Sequence, residues 1–212
     1  MRLVPAQRAA LCELFETTGP DAPTVLPGWR AAELLAHLLV RERQPLAAPG
    51  ILLSPLAPLT ERAMRGYDNM PWHRRVELLR AGPPSWSPYR LGAVDEQANL
   101  VEFVVHHEDL ARAQPGWRPR PSDPDREEAL WSRLRLMARV MYRKSPVGVL
   151  LRHPTRERGA EIAARAGRRG RVTVTGPPGE LVLHAFGRDM AQVELDGAPA
   201  DVEALTRTPR GL

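Results

Sequence analysis

The stretch Asn99–Ala113, NLVEFVVHHEDLARA, decides how the rest of the chain is read. Leu100, Phe103, Val104, Leu110 and Ala111 recur at helical spacing and fall on one face, with His107 among them. Glu102 and His106 are four residues apart, which places them one turn apart and within about 40° of each other. Asp109 follows three residues later in the same sector. A carboxylate and an imidazole stacked in this way can hold one metal ion. The same pair also serves as a helix-surface contact worth a few tenths of a kcal/mol. His107 reads as a packing-face histidine, and Glu108 and Arg112 mark the solvent side. The helix is expected over Val94–Ala113 and is ended by Pro115 and Gly116.

Upstream, Trp29–Arg43 (WRAAELLAHLLVRER) is apolar almost all round and reads as a buried helix. Its apolar middle contains one polar side chain, His37. A buried imidazole needs a partner, either a hydrogen bond in the core or a metal. His37 together with Glu102 and His106 would give two imidazoles and one carboxylate. That donor set suits zinc or another borderline divalent ion and leaves coordination positions open. Helix bundles commonly build such sites from inward side chains on facing helices.

Further helices are expected over Pro5–Thr18, stopped by Gly19-Pro20, and over Leu59–Tyr67, Pro71–Ala81 and Asp125–Arg143. Asp123 is placed as the N-cap of the last of these and Pro124 at its first position. Gln44–Pro58, with four prolines, reads as a crossing segment, and Ser85–Gly92, with Trp86 and Tyr89, as a loop. After Ser145-Pro146 the texture changes. Val147–Leu151 is a short apolar run, Glu161–Arg165, Arg171–Thr175 and Gln192–Leu195 have strand character, and Asp201–Thr206 reads as a helix. Glu180–Phe186 fits helix and strand equally. The fold class is therefore α+β, with a helical domain over 1–144 and a small α+β domain over 145–212.

Composition narrows the function classes. The chain of 212 residues is 43% hydrophobic, enough for a substantial core. The charge is +5, yet all but one of the 30 basic residues are arginine, the exception being Lys144. With 22 prolines, this points to a G- and C-rich coding bias and weakens the high pI as an argument for a nucleic-acid partner. Arg165, Arg168, Arg169 and Arg171 bracket a glycine-containing turn, read as a solvated hairpin tip. Its functional alternative is an anion site without interleaved aromatics. Cys12, the single cysteine, excludes an internal disulfide and a CxxC metal site. It fits a reducing cytoplasm and reads as a packing residue. No apolar run approaches the ~18 residues of a membrane span, and MRLVPAQR carries no signal-peptide core.

WxxxxLxxHL (Trp29, Leu34, His37, Leu38) followed by ExxxHHxDL (Glu102, His106, His107, Asp109, Leu110) resembles the DinB-like metal-binding bundles. With GPDAPT (Gly19–Thr24), GPPGELVL (Gly176–Leu183) and FGR (Phe186–Arg188), the chain is most similar to their actinobacterial branch related to mycothiol-dependent maleylpyruvate isomerase. The resemblance implies an up-down-down-up four-helix bundle holding one divalent metal through His37, Glu102 and His106. Zinc leads the candidates, with nickel, iron and manganese behind it. A small C-terminal domain would close over the site. The resemblance also implies mycothiol or a similar small thiol as cosubstrate and an arginine of the C-terminal domain, by position Arg188, that holds a carboxylate of an electrophilic substrate. Asp109 is expected to orient a ligating histidine, or to stabilise its own helix. The expected function is a cytoplasmic thiol-dependent transferase or isomerase, monomeric or homodimeric. The alternative is a metal- or ligand-binding bundle without catalysis.

Overall fold

A computed structural model describes residues 3–51, 53–87, 92–156, 159–167 and 170–211. Among them are eight helices and a four-stranded sheet, an α+β chain. By residue contacts it divides into two units, Met1–Arg120 and Pro121–Leu212. No helix among the described residues is long and apolar enough to cross a membrane.

The first unit is helical: α1 (Leu3–Thr18), α2 (Ala31–Arg43), α3 (Ala57–Arg65), α4 (Trp72–Arg80) and α5 (Gly92–Ala111). Helix α1 buries Val4, Leu11, Cys12 and Phe15 at spacings that make one stripe, and packs on α5 and α4. It ends where Gly19 adopts φ 79°, a left-handed conformation that a side chain would resist, and returns its N–H to the Phe15 carbonyl at 3.0 Å. Helix α2 is buried on nearly every side, as its composition predicts, and packs on α3 and α4. Its start is fixed by the Glu33 carboxylate, which accepts the Arg30 backbone N–H at 2.8 Å. The loop before it is tied to α5, because the Val25 N–H donates to the Asp109 carbonyl at 2.9 Å. Two short 3-10 turns, Ala48–Ile51 and Ser54–Leu56, interrupt the proline-rich crossing segment. Within the Ser85–Gly92 loop, Tyr89 lies outside the described residues.

The second unit holds α6 (Pro124–Met141), β1 (Gly148–Arg152), β2 (Glu161–Arg165), β3 (Arg171–Thr175), α7 (Pro178–Ala185), β4 (Glu194–Asp196) and α8 (Pro199–Arg207). Asp123 caps α6 by accepting from the backbone of Asp125 and Arg126 at 3.1 and 3.2 Å. The composition shift pointed to a boundary at 144/145. By contacts the first unit ends at Arg120 instead, and α6 counts with the sheet. The cause is local: α6 packs on α7 and β2, the Trp131 indole donates to the Gly159 carbonyl at 3.2 Å, and Glu127 accepts the Gly179 N–H at 3.0 Å. The ambiguous run after Gly179 is helical, since α7 buries Leu181, Val182, Leu183 and Ala185 around most of its circumference.

The strand order is β2-β1-β3-β4, with β1 antiparallel to β2 and parallel to β3, and β3 antiparallel to β4. This corrects the expected hairpin of β2 with β3, because β1 lies between them. Gly167 and Gly170, in the link after Arg165, lie against Gly148 at the start of β1. Of the arginines bracketing that link, Arg168 and Arg169 lie outside the described residues. Glycines make the close approach possible: a Cβ on Gly167 would run into the backbone of Gly148. Gly167→Ala is expected to destabilise the protein by about 2 kcal/mol, read as a lower urea midpoint.

Tyr142 and His184 meet inside this unit, with the Tyr142 Oη 2.6 Å from His184 Nδ1 and the rings stacked at 5.8 Å. Burial, then the Arg210 charge, push the His184 imidazole down to about 3, and burial pushes the Tyr142 phenol up. A depressed histidine binds fewer protons folded than unfolded, so its contribution is present above pH 6.5 and is lost as pH falls toward 3. Stability is expected to fall by up to about 1.4 kcal/mol per pH unit in that window. In His184→Gln, this part of the slope is expected to vanish. An unchanged slope in urea titrations between pH 6 and 4 would contradict it.

Candidate metal centre

Helix α2 carries His37 and α5 carries Glu102 and His106. One ligand-capable atom of each lies within 4.8 Å of the others. Among the described residues they form a group able to hold a metal ion. Both histidines are 7% exposed, while the Glu102 carboxylate is more open at 20% of its side chain. The two imidazoles meet edge to face at 5.1 Å and 74°, and the Trp29 ring lies 5.2 Å from His37 on another side. Glu102 Oε2 stands 3.2 Å from His106 Nε2.

The second nitrogen of His106 is already used. Asp109, fully buried, places Oδ2 at 2.9 Å from His106 Nδ1. A carboxylate on Nδ1 holds that nitrogen protonated and turns Nε2 toward Glu102 and His37, where, once deprotonated, it would offer a lone pair. The donor set and this orientation fit a divalent metal ion. Burial opposes the charged form of His106, but the hydrogen bonds it donates to Asp109 and Glu102 outweigh that and raise the imidazole above its usual range. Burial would likewise raise the Glu102 carboxyl. The His106 hydrogen bond and the charges of Arg41, His106 and His37 instead hold it well below the usual carboxylate range. The site thus favours a carboxylate and a cation beside it, and a divalent ion held here would supply a stronger positive charge than the His106 proton.

Several residues stand differently from their sequence reading. Glu108 was expected on the solvent side, yet it is 6% exposed. The segment after α5 returns over it, so that Arg112 Nε donates to Oε2 at 2.8 Å and Arg120 Nε to Oε1 at 2.9 Å. Arg112 also lies over the Trp117 ring at 4.6 Å, which closes its expected solvent face. These cations, with His107, overcome burial and hold the Glu108 carboxyl low. His107 is buried on α5, with Nδ1 3.8 Å from Glu108 Oε1. Arg188 belongs to the second unit, where its Nη1 donates to the Phe186 carbonyl at 2.8 Å.

Two site neighbours had no role in the sequence reading. Arg41 Nε is 3.8 Å from Glu102 Oε1, and Arg41 Nη1 donates to Asn99 Oδ1. The spacing carried a signal for both. Arg41 is one turn beyond His37 on α2, and Asn99, Glu102, His106 and Asp109 run at intervals of three and four along one strip of α5.

No protein-family model matches the chain, and no curated protein does. Among solved structures, the chain matches a histidine-to-alanine mutant of the mycothiol-dependent maleylpyruvate isomerase. The TM-score is 0.57 over 92% of this chain and 90% of that one, at 15% sequence identity. The two proteins therefore share a fold.

Proposed function

We propose that this chain is a divalent-metal protein of the DinB-like superfamily, and that it acts as a thiol-dependent transferase or isomerase. The observation that carries the reading is the convergence of His37, Glu102 and His106 from two helices, with Asp109 orienting His106. The fold shared with an enzyme whose name states mycothiol dependence supports the thiol. Zinc is the proposed metal and mycothiol, or a small thiol like it, the cosubstrate. When bound, the metal supplies Lewis acidity that favours a thiolate over a thiol at its open position.

The protein's own part is binding and orientation. His37 and His106 contribute neutral imidazole nitrogens, and Glu102 one carboxylate. Asp109 keeps the His106 proton on Nδ1, away from the metal side. Trp29, packed on His37, limits the rotation of that ring. Arg188 is assigned the carboxylate of an electrophilic substrate, which a guanidinium grips bidentately. The buried Cys12 thiol, raised to about 11 chiefly by burial, is no competing nucleophile. Its persistence as a lone thiol accords with a cytoplasmic location.

The test is metal analysis of purified protein, followed by a thiol-consumption assay with mycothiol and an electrophilic cosubstrate. Near-stoichiometric zinc is expected, together with turnover that Glu102→Ala abolishes. Metal binding without turnover would reduce the protein to a metal-binding bundle, and absence of metal binding would remove the reading altogether.

A further inference from the structure

Strand β2 ends the sheet. It pairs with β1 on one side and, among the described residues, with no strand on the other. In an antiparallel pair, successive residues turn their backbone N–H and C=O groups alternately toward the partner strand and away from it. The His153 N–H donates to the Ala160 carbonyl at 2.7 Å, so Ala160 and, two residues on, Ile162 face β1. The backbone groups of Glu161 and Ala163 therefore point out of the edge of the sheet. The side chains of Glu161, Ala163 and Arg165 are exposed, while Ile162 and Ala164 between them are buried. Such an edge is a template for one more strand.

The residues of the edge say which strand fits it. Set against an antiparallel copy of itself, with Ala163 opposite Ala163, the run Ala160–Ala166 (AEIAARA) is self-complementary. Glu161 then meets the partner's Arg165, and Arg165 the partner's Glu161, so both charge pairs attract. On the buried face, large Ile162 meets the partner's small Ala164. Glu161 already holds Arg152 of β1 at 2.9 Å, and the partner's Arg165 extends that row. Arg165 itself makes no ion pair among the described residues. A bulge opposite Val149 shifts the register at the Arg165 end of the strand. Long side chains also reach diagonal neighbours about 7–8 Å away, so the ion pair does not depend on ideal register there. The other edge of the sheet is built differently. Strand β4 has three residues, and its exposed Glu194 and Asp196 carry the same sign. An antiparallel copy of β4 would set acid against acid.

We propose that two copies of this chain associate through β2, their sheets joined antiparallel about a two-fold axis at Ala163. The symmetry closes the assembly at two copies, because each contributes the same edge. The contact is short, which places the association in the weak class, at a dissociation constant of about 1 μM to 1 mM. The inference stands independently of the metal reading, since β2 and its neighbours belong to the second unit alone.

The experiment is sedimentation of the full-length protein over a concentration series reaching about 1 mM, the weak end of that range. A concentration-dependent dimer is expected. Glu161→Arg and Arg165→Glu are each expected to weaken it by about tenfold or more, because each turns two attractive pairs into two repulsive ones. Mixed in equal amounts, the two variants are expected to associate more tightly than either alone, since opposite charges then meet at both crossings of the mixed dimer. Ala163→Pro removes only an outward N–H, which an edge strand tolerates, and is expected to leave a folded monomer. Where the proline variant does not fold, the two charge variants and their mixture decide the matter. An unmodified protein that stays monomeric throughout the series overturns the inference. So does a dimer that either charge variant or a folded Ala163→Pro leaves unchanged, and so does a mixture no more associated than its components.

Discussion

Replacing His37 with alanine is expected to abolish the proposed metal binding and the stabilisation a bound metal would provide. His37 is the only member of the cluster on α2, whereas Glu102 and His106 share one turn of α5. Two ligands on one helix can form without tertiary structure, but the third ties the metal to the packing of two helices. Loss of a direct ligand exceeds the 10–100-fold that loss of an outer hydrogen-bond partner costs, so zinc affinity should fall by more than about 100-fold. A ligand present at 100 times its dissociation constant stabilises the folded state by about 2.7 kcal/mol, and that increment should vanish. The measurement is a pair of thermal melts, with zinc and with chelator. The unmodified protein should show a zinc-dependent rise in Tm and His37→Ala none. An equal zinc-dependent rise in both proteins would show that the metal sits elsewhere.

What the sequence could reveal about this centre, and what it could not, follows from the range of each signal. The pairing of Glu102 with His106 is local, since four residues of helix determine it. The nomination of His37 rested on a single polar side chain in an apolar helix, a signal of cost, because a buried imidazole demands a partner. The cap at Asp123 and the stop at Gly19 are likewise written in a few consecutive residues. Glu108 was misread because its burial depends on Arg120, twelve residues on, folding back across α5. The order of the sheet was misread for a similar reason. Adjacent strands with a glycine turn between them imply a hairpin, and only the packing of β1 against both shows otherwise. Arg41 and Asn99 stand between these cases. Their spacing matched the ligands, but a polar residue one turn from a ligand has meaning only once the facing helix is known.

Arg8→Leu and Glu42→Leu, each alone, are expected to cost about 3–5 kcal/mol, and the double variant much less than their sum. Arg8 and Glu42 have side chains 9% and 1% exposed, joined by two hydrogen bonds under 3 Å. Arg8 also donates to the Leu79 carbonyl at 3.0 Å and lies over the Phe103 ring at 4.6 Å. Removing one partner leaves a charge in the core without its counter-ion, which is far costlier than replacing both by apolar groups. Urea unfolding of the two single variants and the double variant measures the coupling directly. Single-variant losses below about 1 kcal/mol would mean that the pair is solvated. The pair also bears on the metal centre, because Glu42 holds Asn99 and Asn99 holds Arg41. Glu42→Leu should therefore loosen the guanidinium beside Glu102 even where the fold survives. Its zinc affinity should fall as well, while Gly167→Ala, with a smaller fall in stability and in the other unit, should leave zinc affinity intact. A core ion pair with no atom in the candidate metal cluster would in this way hold the guanidinium beside Glu102 in place.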